Sequence, residues 1–228
     1  MNMSFKKKKE QLKKCMKNDY CKYNSKFLGK VLLVLIIISV ISMNNSCTFK
    51  DNLKKTDTYD SGHYLKSPWV TERVGWYFLQ LPEKWELNPT EVEMFMESYS
   101  EVAKDYKFFN LFLKDMTIFC SYIEANKGIY ESWDLDKSAT ATINQVLNNL
   151  ECRDVEIRKN IPYDDPLEVN YSAYSGCSPF NHNVKLKGVR FENHIIQICI
   201  FYNADEENLD TISDRIIDSF ENKYIHIN

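Results

Sequence analysis

The sequence predicts a mixed α/β domain (α+β) built on an antiparallel sheet, and three patterns predict it. Three segments carry apolar residues at three- and four-residue spacing, the mark of amphipathic helices. Two pairs of extended runs are joined by turn residues, the mark of β-hairpins. One extended run is apolar on both sides, with Ile196, Ile198 and Ile200 on one and Ile195, Cys199 and Phe201 on the other, which belongs in the middle of a sheet.

Taken in chain order, Trp76 to Leu81 is aromatic and aliphatic and is closed by Pro82, so a strand ends in a turn at Pro82-Glu83-Lys84-Trp85. Asn88-Pro89-Thr90-Glu91 opens a helix that the apolar positions Val92, Phe95, Met96, Tyr99, Val102, Ala103 and Tyr106 extend to Lys107. Met116 to Ala125 follows as a strand. Asp134 or Asp136 caps a second helix, whose apolar face is Ala139, Ile143, Val146, Leu147 and Leu150. Cys152 to Ile161 and Leu167 to Ser175 make a hairpin across Pro162-Tyr163-Asp164-Asp165-Pro166, and Val184 to Phe191 and His194 to Tyr202 make another across Glu192-Asn193. A helix from Ala204 to Glu221 closes the chain, with Asn203 and Glu206 at capping-box spacing and Leu209, Ile212, Ile216 and Phe220 toward the core.

The N-terminal part has a different character. Met1 to Lys30 holds ten lysines against two acids and is followed by the apolar run Val31 to Ile41, broken only by Ser39. Eleven residues of helix span about 16 Å, well short of the ~30 Å core of a bilayer, so a cleaved export signal is favoured over a membrane span. Met16 is an alternative start that leaves an n-region of ordinary length. Next comes Ser42-Met43-Asn44-Asn45-Ser46-Cys47, which resembles a bacterial lipobox, with the small Ser46 before the cysteine and Asn44 where the pattern usually has leucine. The resemblance implies cleavage before Cys47 and diacylation of its sulfur, palmitate being the usual kind of chain, and so a lipid anchor in the bacterial envelope, on the periplasmic face or the cell surface. An uncleaved signal anchor and plain secretion are the competing readings. The expected organisation is a signal peptide over 1–46, a polar tether over 47–69 and a folded domain over 70–228.

Residues 1–46 hold ten of the 29 basic and two of the 32 acidic residues, so the rest of the chain sets 19 basic against 30 acidic residues, a net charge of −11. Such a surface repels phosphate backbones, which argues against a nucleic-acid partner and leaves a basic protein as the sharper alternative to simple solubility. Four cysteines remain beyond Cys47, namely Cys120, Cys152, Cys177 and Cys199, and none forms a CxxC pair. A hairpin centred on Asp164-Asp165 sets Cys152 opposite Cys177, a disulfide candidate that Cα atoms more than ~7 Å apart would rule out. Cys120 and Cys199, in apolar strands, are expected to be buried thiols.

The order strand, PxxW turn, helix, strand, helix, antiparallel strands, final strand and C-terminal helix resembles the PsbP-like fold, also found in envelope lipoproteins of the DcrB type. Leu79-Gln80-Leu81-Pro82-Glu83-Lys84-Trp85 carries the likeness at one end, and Ile195 to Tyr202 running into Ile212 to Phe220 carries it at the other. The resemblance implies an antiparallel sheet with helices on both faces, a PsbP-like sandwich. It implies accessory, assembly or binding roles, and no catalytic residues are carried over.

Chemistry read from the residues points the same way. His63, His182, His194 and His226 have no metal-site spacing, and six glycines form no phosphate-cradling loop, so no cofactor or metal is expected. Ser175-Gly176-Cys177-Ser178-Pro179-Phe180-Asn181-His182 brings nucleophile and base types together, which keeps a small cysteine-dependent hydrolase as a rival; a turn-rich loop with a disulfide is the plainer reading. Glu93, Glu97 and Glu101 at four-residue spacing share one helix face, a solvated face by default and a candidate dock for a basic partner. Trp85, in the turn, is a candidate partner anchor. The expected function is a non-catalytic, lipid-anchored lipoprotein binding a protein or a small envelope ligand, with a toxin-neutralising immunity lipoprotein as an alternative.

Overall fold

A computed structural model describes residues 61–150, 152–160, 167–176 and 181–222. The expected export signal, Cys47 and the turn at Pro162 to Pro166 lie outside the described residues. Among the described residues no helix is long and apolar enough to cross a membrane.

The structure is mixed α/β with antiparallel sheets. Strands β1 (Val70–Val74) and β2 (Tyr77–Leu81) form a small sheet with the closing strand β10 (Glu221–Asn222). Seven strands make the large sheet: β3 (Glu86–Leu87), β4 (Ala103–Leu113), β5 (Met116–Ala125), β6 (Arg153–Lys159), β7 (Glu168–Gly176), β8 (His182–Phe191) and β9 (His194–Asn203). Their spatial order is β3-β4-β5-β9-β8-β7-β6, so β9, the strand with two apolar faces, is the middle one.

Each face of the large sheet has its own core. On one face Tyr106, Phe108, Ile123, Val169, Tyr171, Ala173, Ile195 and Cys199 pack beneath helices α2 (Pro89–Tyr99) and α4 (Leu135–Asn149) and the short α3 (Ile129–Ser132). On the other, Leu111, Ile118, Cys120, Ile196, Ile198 and Ile200 pack beneath the small sheet and helix α5 (Leu209–Ser219). This second core draws on β4, β5, β9 and β8 but on neither β7 nor β6. Among the described residues, β7 and β6 are therefore covered on one side only.

Polar bonds fix how α4 sits. Asp134 caps it by accepting from Lys137 N at 3.0 Å, and Asp136 accepts from the Tyr171 hydroxyl at 2.7 Å and pairs with Lys159 at 3.0 Å. In the interior the Gln197 amide donates to Ser138 Oγ at 2.7 Å, so the central strand and the helix satisfy one another where water is excluded.

Several expectations are corrected. The helix predicted to reach Lys107 stops at Tyr99, and Ala103 opens β4. Tyr106 and Phe108 face one core while Phe109, Leu111 and Leu113 face the other, and the aromatic, two-sided run pairs fully with β5. Folding also begins before Val70: α1 (Ser61–Lys66) lies within the predicted tether and buries Tyr64 against the second core. The last helix starts at Leu209, because Asn203 ends β9 and its side chain accepts from Asp205 N at 3.0 Å in a local turn.

Two-residue turns join β1 to β2, β4 to β5 and β8 to β9, and one makes a specific steric demand. Gly75 has φ 58°, as the first residue of a type II′ turn requires, and a Cβ there would lie 2.7 Å from Tyr122 Cε2. Tyr122 is held in place by stacking on His194, whose Nδ1 lies 2.9 Å from its hydroxyl. Gly75→Ala is expected to destabilise the domain by about 1–3 kcal/mol through the left-handed backbone alone, with displacement of Tyr122 adding to it. Urea unfolding checks this, and an unchanged midpoint would refute it.

Candidate functional site

Where α5 and the small sheet stop, β6, β7 and β8 present a polar face to solvent. Alternation along each strand decides which residues point there: Val169, Tyr171, Ala173 and Ser175 of β7 are buried, so Asn170, Ser172 and Tyr174 face outward. The ladder aligns these residues with their neighbours into two rows. Glu156, Tyr174, Asn183 and Tyr202 stand side by side across β6, β7, β8 and β9, and Arg158, Ser172 and Lys185 form the next row. Together with Asp210 from the first turn of α5 they line a cleft of about 400 Å³. That volume lies in the range of small-molecule sites, ~300–1,000 Å³.

The wall on the α5 side is an ionic network. Lys185 Nζ contacts Asp214 Oδ1 at 2.5 Å and Asp210 Oδ1 at 2.9 Å, and the Tyr202 hydroxyl donates to Asp210. Burial disfavours the charge on Lys185, yet its bonds to Asp214 and Asp210 outweigh this and raise its pKa. Burial likewise opposes ionisation of Asp210, but the bonds from Tyr202 and Lys185 prevail and hold its carboxyl below the usual range. Tyr202 is pushed up to about 12 by burial and by its bond to Asp210. All three groups therefore keep one protonation state around neutrality, and none is poised to exchange a proton with a ligand. On the opposite wall Arg158 pairs with Glu156 at 2.7 Å. Tyr174, between the walls, is 48% exposed.

The residues singled out by the sequence are dispersed. Glu93 and Glu97 are exposed on α2, but Glu101 lies in the turn beyond the helix end, so the expected row of three carboxylates is broken. Trp85 is not available as an anchor, because it is 8% exposed and stacks on Phe109 with ring centroids 4.7 Å apart. Cys152 is disulfide-bonded. Cys177 lies outside the described residues; the last described ladder pair, Arg153 with Gly176, consists of the chain neighbours of these two cysteines. Cys120 and Cys199 are buried free thiols, both pushed up by burial, Cys199 to about 12. His182 sits in β8 opposite Ser175 and Asn203. Among the described residues no three His, Cys, Asp or Glu side chains are grouped to hold a metal ion.

The cleft residues escaped sequence reading because their association depends on register. The available signal was the polar alternation Glu156/Arg158, Ser172/Tyr174 and Asn183/Lys185 in consecutive runs.

A second perturbed group lies away from the cleft. Glu91, in the first turn of α2, is 5% exposed, and burial pushes its carboxyl up to about 7, overcoming the favourable end of the helix dipole. Its folded pKa exceeds the unfolded value of 4.5, so folding takes up a proton between the two; stability falls as pH rises through that window and levels off above it. Glu91→Gln is expected to raise the unfolding midpoint at about pH 8 and to lose that advantage at about pH 4. Thermal melts across pH check this, and a pH-independent difference would contradict it. Neither family models nor curated protein sequences match the chain.

Proposed function

We propose that the chain is a lipid-anchored bacterial envelope lipoprotein with a PsbP-like sandwich, whose role is binding rather than catalysis and whose site is the cleft on the open face of β6 to β8. The cleft is the observation that carries this reading: it has ligand-sized volume and an exposed aromatic ring, while its ionisable groups are tied to one another instead of being set as a nucleophile and a base. The anchor rests on the lysine-rich start, the apolar run and Ser46-Cys47. The order of elements and the two cores flanking the large sheet favour the PsbP-like assignment over a simple two-layer α+β domain.

Two variants of the full-length chain test the halves of this proposal. Cys47→Ser is expected to abolish labelling by a palmitate analogue in bacterial cells and to release the protein from the membrane fraction; retained label would overturn the anchor. A low-molecular-mass extract of the cell envelope is expected to raise the melting temperature of the purified protein, as any ligand of the native state does. Tyr174→Ala removes a half-exposed ring and is expected to remove the rise. No rise, or one that survives the substitution, would overturn the cleft as the site.

A further inference from the structure

We infer that the cleft takes a neutral saccharide, laid along the row of side chains that crosses the strands. This rests on the cleft being the binding site and adds the chemical class of the ligand.

Charge decides first. Each ionic group lining the cleft already has a partner: Arg158 pairs with Glu156 at 2.7 Å, and Lys185 with Asp210 at 2.9 Å and, behind the lining, with Asp214 at 2.5 Å. An ionic ligand of either sign would have to compete with an existing partner, and would lose one pair for each it gained. A neutral ligand leaves both pairs intact and still uses their remaining donor and acceptor positions.

Unspent hydrogen-bonding capacity decides next. Among the described residues the Asn183 amide and the Tyr174 hydroxyl make no hydrogen bond within the protein, although both line the cleft. They are direct ladder partners, so both side chains rise from neighbouring points of the open face, the amide near the sheet and the hydroxyl at the outer end of its ring, and each can donate and accept. Such a pair matches a ligand whose hydroxyls each donate and accept.

Shape agrees with both. The accessible row Glu156, Tyr174, Asn183 crosses two strand spacings, about 10 Å, and the buried Tyr202 closes its inner end. Its period is comparable to that of successive pyranose rings in an extended chain. The Tyr174 ring offers a negative π face, and the axial C–H bonds on one side of a pyranose supply the weakly positive apolar surface that packs on it.

The test titrates full-length protein in a sugar-free detergent with cellobiose, lactose and N,N′-diacetylchitobiose. A uronate-containing disaccharide and a glucosamine disaccharide are the anionic and cationic counterparts. Calorimetry and saturation-transfer NMR are the readouts. At least one neutral sugar is expected to bind with an affinity nearly independent of salt. Tyr174→Ala and Asn183→Ala are each expected to weaken it about tenfold or more, equivalent to about 1.4 kcal/mol. Absence of binding by all three neutral sugars overturns the ligand class, as does neutral binding that both variants leave intact. Binding by a charged sugar alone, lost in Tyr174→Ala, overturns the class but keeps the cleft as the site. If the envelope extract also leaves the melting temperature unchanged, the site itself fails.

Discussion

The fold depends on the burial of β9. Nine of its ten residues are buried, with Ile196, Ile198 and Ile200 in one core and Ile195, Cys199 and Phe201 in the other. A strand so apolar on both sides needs a hydrogen-bonding neighbour at each edge and a packed layer on each face. β5 and β8 supply the edges, α2 and α4 one layer, α5 and the small sheet the other. Each fully buried isoleucine contributes roughly 1.5–3 kcal/mol. No arrangement exposing either face of this strand would compete.

The two covering layers differ in extent, and that difference shapes the surface. α4 packs on β8, β7 and β6, whereas α5 packs on β2, β8 and β9. β7 therefore alternates between a buried side and a solvated one, while β6, at the rim, has only Ile157 among its described residues partly buried against the first core. The Lys185 network marks the border: its ammonium lies at the edge of α5 and holds two acids of that helix over the sheet. The cleft is thus a consequence of where the second layer stops.

Legibility in the sequence follows how local the determining forces are. β5 is legible from Met116 to Ala125, the turn at Glu192-Asn193 joins β8 to β9 as expected, and α4 shows its cap and apolar face directly. β4 was hidden because Val102, Ala103 and Tyr106 continue the helical spacing of Val92 and Phe95, and only pairing with β5 decides between the two periods. The closing strand β10 consists of two residues whose pairing with Tyr77 and Phe78 leaves no mark on the local pattern. Near Cys152 the ladder shifts by one residue between Glu156–Tyr174 and Arg153–Gly176, so a constant register read from the turn holds at one end of the hairpin only. For the candidate site, single positions were visible as polar residues in strands. Which of them become neighbours depends on long-range register and on the end of α5.

The strand order has a further consequence, for the timing of folding. β9 lies in the middle of the sheet but is the last of its strands in the chain, and β5 must wait for it across the whole of α4, β6, β7 and β8. Loop closure over such separations is slow, and the early hairpin β4–β5 has an unpaired apolar edge until the final quarter of the chain arrives. During synthesis, which proceeds from the N-terminus, the sheet therefore stays incomplete until Asn203 is available. The topology makes folding a late, nearly all-or-none event that keeps the nascent polypeptide in an open state for most of its emergence.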